Sequence, residues 1–214
     1  MVFHDTSQVL HAASSGALAT QSRRMPGYPY ASALPFALDE QHRPVILVSR
    51  LAEHTVNLIA DSRASLLVCE SDGDDLLANA RLTLVGDATE FEPSPELLAR
   101  YLRYHPDAGQ YLALGDFAFF RFTPKRARFV AGFGRMGWVD ESQWADAAVL
   151  PLADEVALIT ELAGLQPPGV RLLGIDRYGV DVEHGKTRER RGFADAPVEA
   201  GALRGLVMRL FSGG

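Results

Sequence analysis

The fold is decided by the stretch from Gly27 to Leu67, GYPYASALPFALDEQHRPVILVSRLAEHTVNLIADSRASLL, in which two strand-like segments lead into a short helix with a polar start. Along the first segment, the aromatic and hydroxyl side chains of Tyr28, Tyr30 and Ser32 alternate with small or apolar ones. Successive side chains of a strand point to opposite faces, so this alternation predicts one wall of a small antiparallel sheet.

The second segment, Pro44 to Ser49, turns into a helix predicted over 56–60. The first-turn N–H groups of a helix lack intrahelical partners, and the helix dipole favours negative charge beside them. We therefore expect a phosphate-bearing cofactor at this turn. The side chains expected to hold it are those of Arg50, His54 and Thr55, with hydroxyls offered by Ser32 and Ser49.

Composition is that of an ordinary soluble chain, with 214 residues, 47% hydrophobic and 22% charged. The net charge of −6 gives no overall basic footprint, so we expect neither nucleic acid nor anionic membrane as a partner. The one dense basic run is interrupted by Glu189 and predicts a solvated strand edge. It consists of Lys186, Arg188, Arg190 and Arg191.

Cys69 is the single cysteine, which excludes a disulfide within the chain and zinc sites built from several thiolates. It lies in an apolar segment and is interpreted as a core residue. The N-terminus lacks the basic start and apolar run of a signal peptide, and no later segment is long enough to span a bilayer. The cytoplasm is the expected compartment.

The pattern of elements predicts an α+β chain that is mainly β, with a barrel over 1–142 and a small α+β domain over 143–214. Barrel strands are predicted over 17–21, 28–37, 44–49, 63–70, 81–90, 116–122 and 126–131, and helices over 6–14 and from Ser94 to His105. The second domain is predicted to hold a helix capped by Asp154, a strand pair over 170–183 and 187–193, and a final helix through Leu203 and Leu210. Strand 116–122 is so aromatic that it should pack on both sides or at a subunit interface. Together with the tyrosine-rich face at 28–32, it has more apolar surface than a small monomeric barrel covers, which predicts a homodimer.

Two local patterns suggest other chemistry. The run from Gly132 to Gly137 satisfies G-x-G-x-x-G, but no amphipathic helix follows it, so a Rossmann site is rejected and a loop over 132–142 is expected. A metal has to be considered for the acidic and imidazole side chains of Asp176, Asp181, Glu183 and His184. Since neighbours on a strand point to opposite faces, solvated hairpin charges explain them better, and no metal site is assigned.

Six ordered blocks of sequence resemble the FMN-binding split-barrel proteins related to pyridoxamine 5′-phosphate oxidase, most of all their haem-utilisation (HugZ-like) branch. The resemblance covers most of residues 5–140, and the tail from about residue 150 resembles the small domain that follows the barrel in that branch. The blocks are GYPYAS (27–32), LAEHTVNL (51–58), RASLL (63–67), RLTLVGDA (81–88), RYLRYHPDA (100–108) and RFVAGFGRMGW (128–138).

The resemblance implies an FMN cofactor in a cleft between the two subunits of a homodimer, with its phosphate beside the segment from Ser49 to Asn57. This chain departs from the family pattern where an arginine and lysine pair is usual, because Leu51 follows Arg50. Haem is the other cofactor that the resemblance implies, with Arg135 placed to meet a propionate or phosphate. The complete predicted cofactor set is Tyr30, Ser32, Ser49, Arg50, His54, Thr55, Asn57 and Arg135.

In the resembled branch an axial histidine comes from the C-terminal region, where this chain offers only His184, on which no motif confers that role. Trp138 is interpreted as a structural anchor. The expected function is that of an oxidoreductase that uses bound FMN or degrades haem. The alternative is a non-catalytic protein that stores or hands over haem or flavin. No catalytic residue can be assigned.

Overall fold

The computed structural model describes residues 2–70, 79–132, 134–185 and 187–212. Its helices are α1 (Val2–Ala12), α2 (Glu53–Ala60), α3 (Pro95–Tyr104), α4 (Ala108–Leu112), α5 (Glu141–Ala145), α6 (Leu152–Leu162) and α7 (Leu203–Ser212), with a 3-10 turn at Ala200–Ala202. Its strands are β1 (Ser15–Gln21), β2 (Pro29–Pro35), β3 (Ala37–Leu38), β4 (Pro44–Ser49), β5 (Arg63–Cys69), β6 (Ala80–Glu90), β7 (Phe117–Ala131), β8 (Arg135–Asp140), β9 (Val170–Asp176), β10 (Gly179–His184) and β11 (Thr187–Gly192).

The barrel is an eight-stranded antiparallel sheet in the order β2-β1-β5-β6-β7-β4-β3, with β8 paired to β7. Its side chains alternate as the sequence predicts: Leu66 and Val68 of β5 point into the core, together with Leu82 and Leu84 of β6. The predicted α+β fold, mainly β with a split barrel, is confirmed.

Strand β7 is longer than predicted and is buried on both faces. Phe120 and Phe122 point into the barrel core, whereas Phe119 packs edge-on against Tyr101 of α3, with ring centroids 5.2 Å apart. The expectation of packing on both sides is therefore confirmed, but α3 supplies the second side. Of the two surfaces from which a homodimer is predicted, this strand is covered within the chain, whereas the tyrosines of the face at 28–32 are exposed.

Helix α3 begins as the sequence predicts, because the Ser94 hydroxyl accepts a hydrogen bond from the Leu97 N–H and Pro95 occupies the first turn. The prediction for α6 was wrong in one respect. Its N-cap is Pro151, and Asp154 lies inside the first turn, where a carboxylate favours the helix dipole without capping.

The segment predicted as a loop over 132–142 contains strand β8, which forms a hairpin with β7. Gly132 and Gly134 have positive φ values of 56° and 98° at the tight turn of this hairpin, which explains the glycine spacing without a nucleotide. Trp144 of α5 packs in the barrel core, so the barrel's packing extends beyond the predicted domain boundary at residue 142.

The C-terminal part is a three-stranded antiparallel sheet, β11-β10-β9, covered by α6 and α7. The strand pair predicted over 170–193 is thus three strands, since β9 and β10 are joined by a turn at Arg177 and Tyr178. Helix α1 lies between this sheet and the barrel, and it contacts both. No helix in the described part of the chain is long and apolar enough to cross a membrane.

Candidate functional site

The loop between β1 and β2 lies against the N-terminal half of α2, and this junction gathers most of the predicted cofactor side chains. Ser32 Oγ lies 3.1 Å from His54 Nδ1. Burial lowers the pKa of His54, so its imidazole is neutral at pH 7. His54 Nε2 is buried and has no hydrogen-bond partner among the described residues. Tyr30 lies on the same face of β2 as Ser32 and is 40% exposed.

Thr55 and Asn57, two further predicted cofactor residues, are fully buried and bonded to the protein. The Thr55 hydroxyl donates to the Ser49 carbonyl at 2.7 Å. Asn57 Nδ2 donates to the Thr20 hydroxyl at 3.0 Å, and Asn57 Oδ1 accepts from the Arg23 N–H at 2.9 Å. Asn57 therefore joins α2 to β1 and to the β1–β2 loop, and Thr55 joins α2 to the end of β4.

Ser49 and Arg50 stand where the sequence predicts a phosphate, but carboxylates surround them. The Ser49 hydroxyl donates to Asp116 at 3.0 Å, and the guanidinium of Arg50 pairs with Glu90 at 2.5 Å. The first turn of α2 also contains Glu53 and has no side-chain cap. The carboxylates of these three acidic residues oppose a dianionic phosphate at this position. The assignment of these residues to FMN stays a prediction.

Arg135 is not brought together with the other predicted residues. Arg135 pairs with Ala131 of β7 at the β7–β8 turn. Tyr30 lies in a row of paired residues that crosses β1, β5 and β6 and ends at Pro124 of β7. Pro124 and Ala131 are seven residues apart along β7, so the row of Arg135 lies about 23 Å from the row of Tyr30 within one chain. Arg135 forms an ion pair with Asp5 of α1 at 3.2 Å.

Four large apolar side chains are exposed beside His54, and we call them the aromatic face: Met25, Tyr28, Tyr30 and Leu51. They lie on segments that hydrogen bonds and an ion pair join, including the contact of Arg24 with Glu53 at 3.1 Å. Arg23 and Arg24 are exposed at its edge. The arrangement presents apolar surface with cations beside it.

A second exposed surface lies on the outside of the barrel sheet. Across the strands, Ala17 faces Leu67, Leu67 faces Thr83, Thr83 faces Arg128 and Arg128 faces Trp138. Trp138 is 45% exposed, and the guanidinium of Arg126 lies 4.2 Å from its ring centroid. This outer face also includes Ala19, Ser65 and Val85. Trp138 is thus a surface residue, and Cys69, predicted to be in the core, is half-buried at the end of β5.

The sequence analysis missed a buried polar cluster between the barrel and the C-terminal sheet. We call it the junction cluster: His11 of α1, His42 of the β3–β4 turn, Asp176, Asp181 and Arg190. His11 Nδ1 lies 3.0 Å from Asp181 Oδ2, and His11 Nε2 lies 3.0 Å from His42 Nδ1. Arg190 pairs with both carboxylates, at 2.8 and 3.1 Å.

The prediction that Asp176 and Asp181 are solvated hairpin charges was therefore wrong. Burial by itself would raise the pKa of Asp181, but the charge of Arg190 and the hydrogen bond from His11 outweigh it and lower that pKa to about 2. Burial lowers the pKa of His42 to about 4. Glu183 and His184 do lie outside the cluster, toward solvent, and Lys186 lies outside the described residues. The one available signal was that Val180 and Val182 flank Asp181 and that Ile175 precedes Asp176.

A protein-family model described as "CREG, beta-barrel" matches residues 5–146 of this chain. The chain is also 30% identical over 197 residues to the chloroplastic haem oxygenase HOZ of Arabidopsis thaliana. That match covers 82% of this chain and 60% of HOZ, so the chain spans well under two thirds of the relative's length.

Two solved structures extend the comparison. A haem-binding protein from Mycobacterium smegmatis is 27% identical, with a TM-score of 0.64, and the match covers 100% of this chain and 98% of that one. A Clostridium acetobutylicum protein of the pyridoxinephosphate oxidase family is 13% identical with a TM-score of 0.50, covering 65% of this chain and 94% of that one. The latter shares the fold, which confirms the predicted split barrel. The family match over residues 5–146 shows that the chain belongs to the CREG β-barrel family.

Proposed function

We propose that this protein binds haem and opens its macrocycle oxidatively, with O2 as the oxidant and electrons from an external reductant. The observation that carries the proposal is the end-to-end match to the haem-binding protein of Mycobacterium smegmatis, which includes both the barrel and the C-terminal sheet. The similarity to HOZ supports the oxidative step over binding alone.

The aromatic face is the proposed haem site. Haem is a planar, largely apolar molecule with two carboxylates, so it needs exposed apolar surface with cations at the edge. Met25, Tyr28, Tyr30 and Leu51 supply the surface, and Arg23 and Arg24 supply the charges. The guanidinium of Arg24 is exposed to solvent, which weakens its ion pair with the half-buried Glu53, so that a propionate could compete for Arg24.

His54 provides a direct test of fit at this site. When the Ser32 hydroxyl donates to Nδ1, the ring proton lies on Nε2, which lacks an acceptor among the described residues. A buried donor without an acceptor costs about 1–3 kcal/mol. A haem carboxylate beside the aromatic face would give His54 its acceptor.

FMN is the second candidate because the Ser32 and His54 pair also suits a polar flavin edge. Asp116, Glu90 and Glu53 disfavour FMN, since they lie where the phosphate is expected.

A homodimer is proposed too, with the outer face of the barrel sheet as the interface. The cytoplasmic location stays a prediction.

The experiment starts from the purified chain titrated with haem and followed by absorbance. We expect a Soret band that decays under O2 with ascorbate as the reductant, with tetrapyrrole absorbance appearing in its place. Tyr28→Asp should weaken haem binding about ten-fold or more, because it removes apolar contact and adds a charge that repels the propionates. Leu165→Asp is the matched control, since Leu165 is also an exposed apolar residue but follows α6, outside the aromatic face.

Each other outcome identifies an alternative. A Soret band that survives the reductant and O2 would leave a haem-binding protein without the oxidative activity. Flavin absorbance in the protein as purified, with no Soret band after haem addition, would favour FMN. Equal haem affinity for Tyr28→Asp and Leu165→Asp would remove the aromatic face from the proposal.

A further inference from the structure

The junction cluster brings three potential metal-ligand atoms together in the interior. His11 Nε2 lies 3.0 Å from His42 Nδ1 and 3.4 Å from Asp176 Oδ2, and all three ligand atoms lie within 4.8 Å of one another. Ligands at zinc distances on a tetrahedron are about 3.3 Å apart. The spacing is close to that of a cation's ligand shell, and all three residues are buried.

The outer hydrogen bonds of the two imidazoles fix which nitrogens face each other. His11 Nδ1 contacts the Asp181 carboxylate, and His42 Nε2 lies 3.4 Å from the Ala148 carbonyl. Both partners only accept hydrogen bonds, so each ring carries its proton on the outer nitrogen. When both rings are neutral, the inner nitrogens, His11 Nε2 and His42 Nδ1, present lone pairs to each other at 3.0 Å. Two facing lone pairs repel unless a cation, either a proton or a metal ion, lies between them.

Asp176 supplies the third ligand atom. Its Oδ1 accepts from Arg190 Nη2 at 2.9 Å. Its Oδ2 is buried and accepts no hydrogen bond from the described residues, although Arg190 Nη1 lies 2.8 Å away. This carboxylate oxygen is held by an ion pair but by no hydrogen bond, so its lone pairs are free to bind a cation.

The surroundings of this group also suit a cation. The Asp181 carboxylate accepts a hydrogen bond from the outer nitrogen of His11, as a carboxylate commonly does to orient a metal-bound histidine. The formal charges of Asp176, Asp181 and Arg190 sum to −1, so the cluster lacks a positive charge when both histidines are neutral. His42 has a φ of 59°, the one positive value of a non-glycine residue in the described part of the chain. Such backbone conformations are uncommon and concentrate at functional sites.

We propose that the junction cluster is a site for a divalent first-row transition metal, with His11 Nε2, His42 Nδ1 and Asp176 Oδ2 as its protein ligands. Two imidazoles and one carboxylate suit zinc or ferrous iron and leave a coordination position open. The ligands come from α1, the β3–β4 turn and β9. A bound ion therefore ties the C-terminal sheet to the barrel.

The test measures metal directly, with Zn2+ as the first probe. The whole chain is produced in zinc-supplemented medium and gel-filtered, and its metal content is measured by mass spectrometry. We expect about one zinc per chain, and Co2+ in its place should give visible ligand-field bands. His42→Ala removes one ligand and should abolish both signals, whereas His184→Ala, which alters a histidine outside the cluster, should leave both unchanged.

The Co2+ bands keep the test decisive if His42→Ala folds poorly, since they report imidazole ligation in the unaltered chain. Absence of bound zinc and of Co2+ bands in the parent chain, together with an NMR proton shared between His11 Nε2 and His42 Nδ1, would overturn the proposal. Equal loss of metal in His42→Ala and His184→Ala would overturn it as well. The test does not use haem absorbance, so the measured metal content does not depend on whether the proposed function is correct.

Discussion

Asn57 illustrates, at the scale of one residue, how a polar side chain placed near a predicted site belongs to the scaffold. Its amide links Thr20 of β1 with the backbone of Arg23, so it fixes the β1–β2 loop on α2. Met25 and Tyr28 of the aromatic face lie on that same loop. The amide therefore positions the proposed haem site without contacting the ligand.

Asn57→Ala should destabilise the protein by about 2–3 kcal/mol, because it leaves the Thr20 hydroxyl and the Arg23 N–H without their partner in a largely buried place. The measurement is urea unfolding followed by circular dichroism. Ile59→Ala, at an exposed position on the same helix, should change the free energy of unfolding by less than about 0.5 kcal/mol. Equal effects of the two variants would show that the amide bonds contribute nothing measurable.

At this scale the sequence predicts which residues of the site lie close together, but not which side chains form their ion pairs. Ser32 and His54 were expected together and are in contact. Arg50 was expected to be free for a phosphate, yet its partner, Glu90, comes forty residues later along the chain. Ion pairs between distant strands follow from strand order, which the local pattern of Arg50 does not contain.

The element that best shows what local pattern can and cannot give is the β6–β7 pair. Its register shifts between Val85 and Gly86, and Gly86 faces Pro124 at the bulge. Proline cannot donate to a ladder and is tolerated in strands at bulges. The break predicted between strands 116–122 and 126–131 was wrong for this reason, because the strand continues through Pro124. The apolar run PVILVS did predict β4 with its observed bounds.

Gly86→Ala should destabilise the barrel by about 1–3 kcal/mol, since an added Cβ would lie 2.1 Å from the Thr123 carbonyl oxygen. Backbone cannot move aside there without opening the β6–β7 ladder. Gly109→Ala in α4 is the control, because an added Cβ there meets nothing within 4 Å and alanine is the better helix former. Thermal unfolding measures both, and a melting temperature for Gly86→Ala equal to that of the parent would contradict the close approach.

At the scale of the whole molecule, the outer face of the barrel sheet is the surface that a second copy would cover. Leu67, Val85 and Trp138 are exposed there among small side chains such as Ala17 and Ala19. Small residues let two sheets approach closely, and exposed apolar groups supply the free energy of association. The sequence predicted a homodimer from two other surfaces: strand β7, whose aromatic side chains are covered within the chain, and the tyrosine-rich face at 28–32, which is exposed.

The dimer is tested with Leu67→Arg, which should convert it to a monomer at micromolar concentration because like charges would face each other across a two-fold axis. Light scattering gives the mass in solution. Ile59→Arg, also at an exposed apolar position but on α2, should leave the dimer intact. A parent chain that is already monomeric would remove the shared interface from the proposed function.

Helix α1 is synthesised long before the strands of the C-terminal sheet that it contacts. The contact of His11 with Asp181 joins residues 170 positions apart. Ribosomes add about 5–20 residues per second, so Asp181 leaves the exit tunnel roughly ten to thirty seconds after His11. During that interval the nascent barrel lacks the sheet that covers one side of its first helix. We expect this helix to dock late in co-translational folding, after the strands that follow it in the chain.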